Sequence, residues 1–135
     1  MSHPRIPAVA LDHVGIAAEG PSSPLVSMLG DGTLAPKEMP SGVSVARFGP
    51  EAMLELVWQR TASSPVGNFL ARRGPGLHHL AVAVDVPLAE LMPQLAAAGV
   101  RFAGSTEPSS DGRPSLFVHP SGTGGVLIEL VECRR

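Results

Sequence analysis

A long apolar run, a second cysteine and an excess of charge of either sign are all missing from this 135-residue chain. No uninterrupted apolar stretch approaches the roughly 18 residues a membrane-spanning helix needs, so no membrane partner is expected. Residues 1–7 carry no signal-peptide pattern. Cys133 has no second thiol to pair with, which excludes an internal disulfide and fits a reducing, cytoplasmic setting. Ten Lys and Arg stand against twelve Asp and Glu, a net charge of -2 that argues against a nucleic-acid-binding face. With 44% hydrophobic residues the chain is no disordered tail, and it is long enough to bury a core as one domain.

Fifteen glycines and fourteen prolines make turns frequent and element boundaries sharp. Ala8 to Ala18 reads as a strand, with Leu11, His13 and Gly15 on one face and Asp12, Val14 and Ile16 on the other. Ser23 and Pro24 open a short helix as N-cap and first residue, and Gly30 and Gly32 end it. Thr33 to Pro40 reads as an irregular strand with Pro36 at an edge. Val43 to Phe48 and Ala52 to Trp58 read as two strands joined by Gly49-Pro50-Glu51. A helix capped by Ser64 and ended by Gly74 links this half to the next.

The second half repeats the order: a strand at 76–84, a helix at 87–98, then strands at 100–103, 115–118 and 125–132. Leu88, Leu91, Met92 and Leu95 give its helix one apolar face, and Pro93 is expected to kink it. The predicted fold class is α+β. Two βαβββ modules, at about 8–60 and 76–133, flank a linking helix at 64–74 and form a curved mixed sheet around a central cleft, all within one domain.

The halves also repeat each other residue by residue. Leu11-Asp12-His13-Val14-Gly15-Ile16-Ala17 is answered by Leu77-His78-His79-Leu80-Ala81-Val82-Ala83, and Met53-Leu54-Glu55-Leu56-Val57 by Leu127-Ile128-Glu129-Leu130-Val131. A His or Glu inside an apolar strand is costly to bury unless it is paired or bound to a cation. Either one alone is more often a satisfied core or strand-end residue. Two equivalent copies argue for one shared purpose: His13, Glu55, His79 and Glu129 as ligands of a metal ion. Two imidazoles and two carboxylates suit divalent Co, Ni, Mn, Fe or Zn better than calcium. Four protein ligands on an octahedral ion leave two positions for substrate oxygens, which makes the ion a Lewis acid toward a carbonyl.

Other polar residues read less pointedly. His78 and Asp12 alternate with His79 and His13, so each points to the opposite face of its strand. His119 precedes a Gly-rich turn and either lines the site or caps the loop. Arg72, Arg73 and Arg113 read as solvated arginines that an anionic substrate could meet. The methionines share no short spacing and read as core filling.

On LDHVGIA (11–17), MLELV (53–57), SSPVGNFLARRGPGLHHLAVAVD (63–85) and FVHPSGTGGVLIELVE (117–132), the chain resembles the methylmalonyl-CoA epimerase family of the vicinal oxygen chelate superfamily. The resemblance implies the paired-module fold and metal ligands at His13, His79 and Glu129, with Glu or Gln at the position of Glu55. It implies a divalent metal cofactor, an acyl-CoA substrate and a homodimer. The implied reaction inverts the carbon between a thioester and a carboxylate through an enolate, with one group removing the proton and another returning it on the opposite face. Some family members carry a glutamate in the strand matching Val43-Ser44-Val45-Ala46, where this chain has Val45; Glu55 and Glu129 are then the candidate catalytic carboxylates. A glyoxalase I-type lyase would use the same four ligands, an iron dioxygenase would leave Glu55 spare, and a non-catalytic binding protein would need none of them.

Overall fold

The alternation along Ala8–Ala17 becomes strand β1, with His13, Gly15 and Ala17 buried on one face. It is followed by α1 (Pro24–Leu29), β2 (Lys37–Met39), β3 (Val43–Phe48), β4 (Leu54–Gln59), α2 (Pro65–Arg73), β5 (Gly76–Val84), α3 (Leu88–Ala97), β6 (Phe102–Pro108), β7 (Pro114–Val118) and β8 (Ile128–Glu132). This computed structural model describes residues 4–29, 36–60 and 64–134. Gly30, Gly32 and the first residues of the expected strand at 33–40 lie outside the described residues. Hydrogen bonding orders the strands β2-β3-β4-β1 in the first half and β5-β8-β7-β6 in the second, each run mixing parallel and antiparallel pairs. Among the described residues, no helix is long and apolar enough to cross a membrane.

The chain divides into two compact units, His13–His78 and Met1–Asp12 with His79–Arg135. In the first, β4 pairs in parallel with β1 and antiparallel with β3, which in turn pairs with β2. One sheet face packs Ala46, Leu56 and Trp58 against Val26 of α1. The other packs Val43, Val45 and Val57 against Val66, Phe69 and Leu70 of α2. The expected caps are in place: Ser64 Oγ accepts from Gly67 N at 3.0 Å, Ser23 Oγ from Val26 N at 3.3 Å, and Gly74 N donates to Leu70 O at 2.8 Å. The β3–β4 connection is longer than the expected Gly49-Pro50-Glu51, because β4 begins at Leu54 and not at Ala52. Pro50–Ala52 forms a 3-10 turn in which Glu51 and Ala52 take left-handed φ values of 58° and 55°, a conformation L-residues adopt at a cost.

In the second unit, α3 runs through Pro93 and lays Leu88, Leu91 and Leu95 on Val84, Leu116, Val118 and Leu130. Two boundaries differ from the expected ones by more than two residues. β6 extends to Pro108, because it resumes pairing with β7 at Glu107↔Ser115 after an irregularity that begins past Ala103. Gly104, at φ 86°, supplies the conformation that such a bulge requires. β8 begins only at Ile128, because Gly124 and Gly125 hold left-handed φ values of 71° and 95° and prolong the turn before it. Leu130 is fully buried beneath α3. Leu130→Ala is expected to cost about 2–5 kcal/mol, read as a lower urea midpoint with an unchanged slope.

Candidate metal centre

Each His–Glu pair arises from a parallel strand pair with the same register. In the first unit Gly15 of β1 lies beside Glu55 of β4, so the glutamate stands two residues past His13. In the second, Ala81 of β5 lies beside Glu129 of β8, again two residues past the histidine, His79. Side chains two apart share a strand face. The outcome is the same twice: His13 Nε2 is 3.4 Å from Glu55 Oε2, and His79 Nε2 is 3.5 Å from Glu129 Oε1. All four residues are at most 6% exposed.

These separations exceed the usual N–H···O range of about 2.7–3.2 Å. They suit two ligands of one ion, because donors each about 2.1 Å from a shared cation stand roughly 3–3.5 Å apart. Each unit thus sets a buried imidazole nitrogen beside a buried carboxylate oxygen, His13 with Glu55 in one and His79 with Glu129 in the other. Neutral imidazole nitrogen and carboxylate oxygen are the donor types a borderline divalent cation takes. The residues therefore fit the group that the sequence implied.

Across the antiparallel partners the two copies diverge. Glu55 faces Arg47 of β3, whereas Glu129 faces Phe117 of β7. Arg47 Nε donates to Ala52 O at 3.0 Å, tying β3 to the left-handed turn that leads into β4. Phe117 instead meets the His79 ring edge-on, with centroids 5.5 Å apart. Val45, where some family members have a glutamate, is buried among Ala17, Val43, Val57 and Val66.

The remaining candidates resolve individually. His78 turns away from His79 and packs edge-on against Phe69 of α2, with centroids 4.9 Å apart. His119 is a loop cap: its Nδ1 accepts from Ser121 N at 3.1 Å. Arg73 lies over Phe69, 5.9 Å from the ring centroid. Arg113 is not the solvated arginine its loop position suggested. Its side chain is 13% exposed, with Nη2 2.8 Å from Asp12 Oδ1 and Nε 2.8 Å from Asp111 Oδ2. Burial opposes the charge on both Asp111 and Arg113, yet their partners outweigh it. Hydrogen bonds from Ser109 and Arg113, with the Arg113 charge, hold the Asp111 carboxyl below its ordinary value. The Asp12 and Asp111 carboxylates likewise hold the guanidinium above its own.

No family model matches the chain. It is 35% identical over 130 residues to the ethylmalonyl-CoA/methylmalonyl-CoA epimerase of Cereibacter sphaeroides, an alignment covering 90% of this chain and 96% of that one. Its fold is similar to the crystal structure of methylmalonyl-CoA epimerase from Mycobacterium tuberculosis, with a TM-score of 0.80 and 29% identity over 99% of this chain and 94% of that one. A methylmalonyl-CoA epimerase in complex with methylmalonyl-CoA and NH4+ superposes with a TM-score of 0.76 at 26% identity, covering 93% and 94% of the two chains. The fold is the vicinal oxygen chelate fold, and the chain belongs to the methylmalonyl-CoA epimerase family, as an isomerase of the racemase/epimerase class.

Proposed function

We propose that this protein is a metal-dependent epimerase that inverts the central carbon of methylmalonyl-CoA or a closely related acyl-CoA. The observation that carries the reading is the duplicated register, which sets a buried glutamate beside a buried histidine twice. His13, His79 and Glu129, with Glu55 as the fourth ligand, would hold one divalent Co, Ni, Mn, Fe or Zn ion. When bound, such an ion supplies Lewis acidity toward the thioester carbonyl and the carboxylate of the substrate.

The proton chemistry falls to Glu55 and Glu129. A carboxylate has two oxygens, so one can face a cation while the other carries a proton. One carboxylate takes the proton from the central carbon, and the C–H electron pair passes into the thioester as an enolate. A proton returned to the opposite face re-forms the C–H bond with inverted configuration. Nothing is oxidised or reduced. Val45, enclosed by apolar side chains, leaves no carboxylate at its own position to share the task.

The test is solvent deuterium incorporation at the central carbon of methylmalonyl-CoA, followed by NMR. Rapid exchange that stops on chelation and returns with added metal is expected; no exchange by fully metallated protein overturns the reading. Lactoylglutathione formation in its place would establish the lyase alternative.

Two further features complete the proposal. Val9, Leu11, Leu80 and Val126 are 37–60% exposed on one unit, which favours a second copy of the chain as their cover, a homodimer. Light scattering should then return about twice the 13.9 kDa chain mass, and a monomer at micromolar concentration would refute it. The single free Cys133 suits a cytoplasmic setting, which fractionation would test.

A further inference from the structure

We propose that Arg113 is a positioning residue for the metal-holding side chains, joining β1 at Asp12 to β8 at Glu132. Asp12 is the residue before His13, and Glu132 lies three residues past Glu129. The inference rests on the metal-site reading above.

The guanidinium spends each nitrogen on a different segment. Nη2 lies 2.8 Å from Asp12 Oδ1, Nη1 donates to Glu132 O at 2.9 Å, and Nε lies 2.8 Å from Asp111 Oδ2. The loop that presents it is itself braced. Ser109 Oγ donates to Asp111 Oδ1 at 2.6 Å, and Ser109 N donates to Arg113 O at 2.8 Å. Glu132 is held from its other side, where Oε2 accepts from Leu88 N at 2.8 Å at the start of α3. Three segments therefore meet at one planar guanidinium fork, through hydrogen bonds to Asp111 and Glu132 and an ion pair to Asp12.

Stability alone does not explain such a hub. The Asp12 and Arg113 side chains are only 7% and 13% exposed, and a buried ion pair often adds no more than an apolar pair of equal volume. What a guanidinium adds is fixed direction, through several bonds in one plane. Asp12 alternates with His13 along β1, so its side chain acts on the ligand through the strand rather than by touching it. Fixing β1 and β8 against one side chain sets where those two strands present their ligands. Partners hydrogen-bonded directly to a metal ligand commonly change metal affinity by about 10–100-fold, and a support one residue removed falls at the lower end of that range.

The test is calorimetric titration of Co2+ into chelator-stripped protein, together with the visible spectrum of the Co2+ form. Three variants serve: Arg113→Lys, Asp12→Asn, and the double variant Arg113→Met with Asp12→Leu. The single changes are expected to weaken Co2+ binding about 10-fold and to shift the Co2+ absorption bands. The double variant is decisive, because its apolar pair can restore the melting temperature without restoring the fork. Weak Co2+ binding at wild-type stability supports positioning. Wild-type affinity and spectrum in the double variant overturn it, and the double variant decides also if Arg113→Lys does not fold. Should the wild-type protein itself take up no Co2+, the metal-site reading fails first, which is a different result from variants that bind as wild type does.

Discussion

His79→Ala is expected to remove metal binding and, with it, catalysis. His79 is 6% exposed and stands 3.5 Å from Glu129. On the proposed reading its removal deletes one ligand, and it leaves the neighbouring buried Glu129 carboxylate without that imidazole. The loss in metal affinity should exceed the ~10–100-fold that follows from removing a mere support to a ligand. Deuterium exchange at the substrate carbon should fall to the level of chelated wild-type protein. Metal analysis after dialysis reads the first effect and NMR the second, while thermal melts separate loss of ligand from loss of fold. A variant that retains stoichiometric metal and wild-type exchange would exclude His79 from the centre. His13→Ala should behave alike, because its strand places it in the same register.

Glu55→Gln separates two roles that Glu55→Ala would confound. The amide keeps an oxygen able to face a cation but cannot accept a proton as a carboxylate does. Metal content should therefore persist while exchange slows by about 10²–10⁴-fold, the range for loss of a positioned acid or base. The drop should appear in kcat rather than KM, since the substrate's binding groups are untouched. Equal kcat for wild type and Glu55→Gln would leave Glu55 as a ligand only and shift proton transfer to Glu129. The experiment matters because the enclosed Val45 offers no substitute.

Much of the fold and of the two His–Glu pairs is legible in the amino-acid sequence. A histidine or glutamate inside an apolar strand is conspicuous, and parallel pairing of equivalent strands sets each glutamate two residues beyond its histidine. The caps at Ser23 and Ser64 and the stop at Gly74 were equally readable, because they depend on neighbours within four residues. What escaped depends on partners distant in the chain. Arg113 looked solvated because its burial requires Asp12, from the opposite end of the sequence. β6 looked short because its pairing with β7 resumes only beyond the irregularity past Ala103. The facing of Arg47 and Glu55 could have been read from the β3–β4 hairpin. It needed the count across a turn whose two left-handed residues carry no glycine signal.

The shared register has an implication for how such a chain can vary. His13 and Glu55 are separated by 42 residues, and His79 and Glu129 by 50, yet both pairs meet with the same two-residue offset. The additional length of the second copy therefore falls between its two site-bearing strands, much of it in α3 and β6, which among the described residues are longer than α1 and β2. Within a paired strand, insertion of a single residue would turn every later side chain to the wrong face and carry the ligand with it. In the connections, lengthening costs only a slowly growing loop entropy. The intervals between these strands thus behave as interchangeable cassettes, open to grafted loops or to new substrate contacts, while the four strands that carry His13, Glu55, His79 and Glu129 tolerate no change of frame.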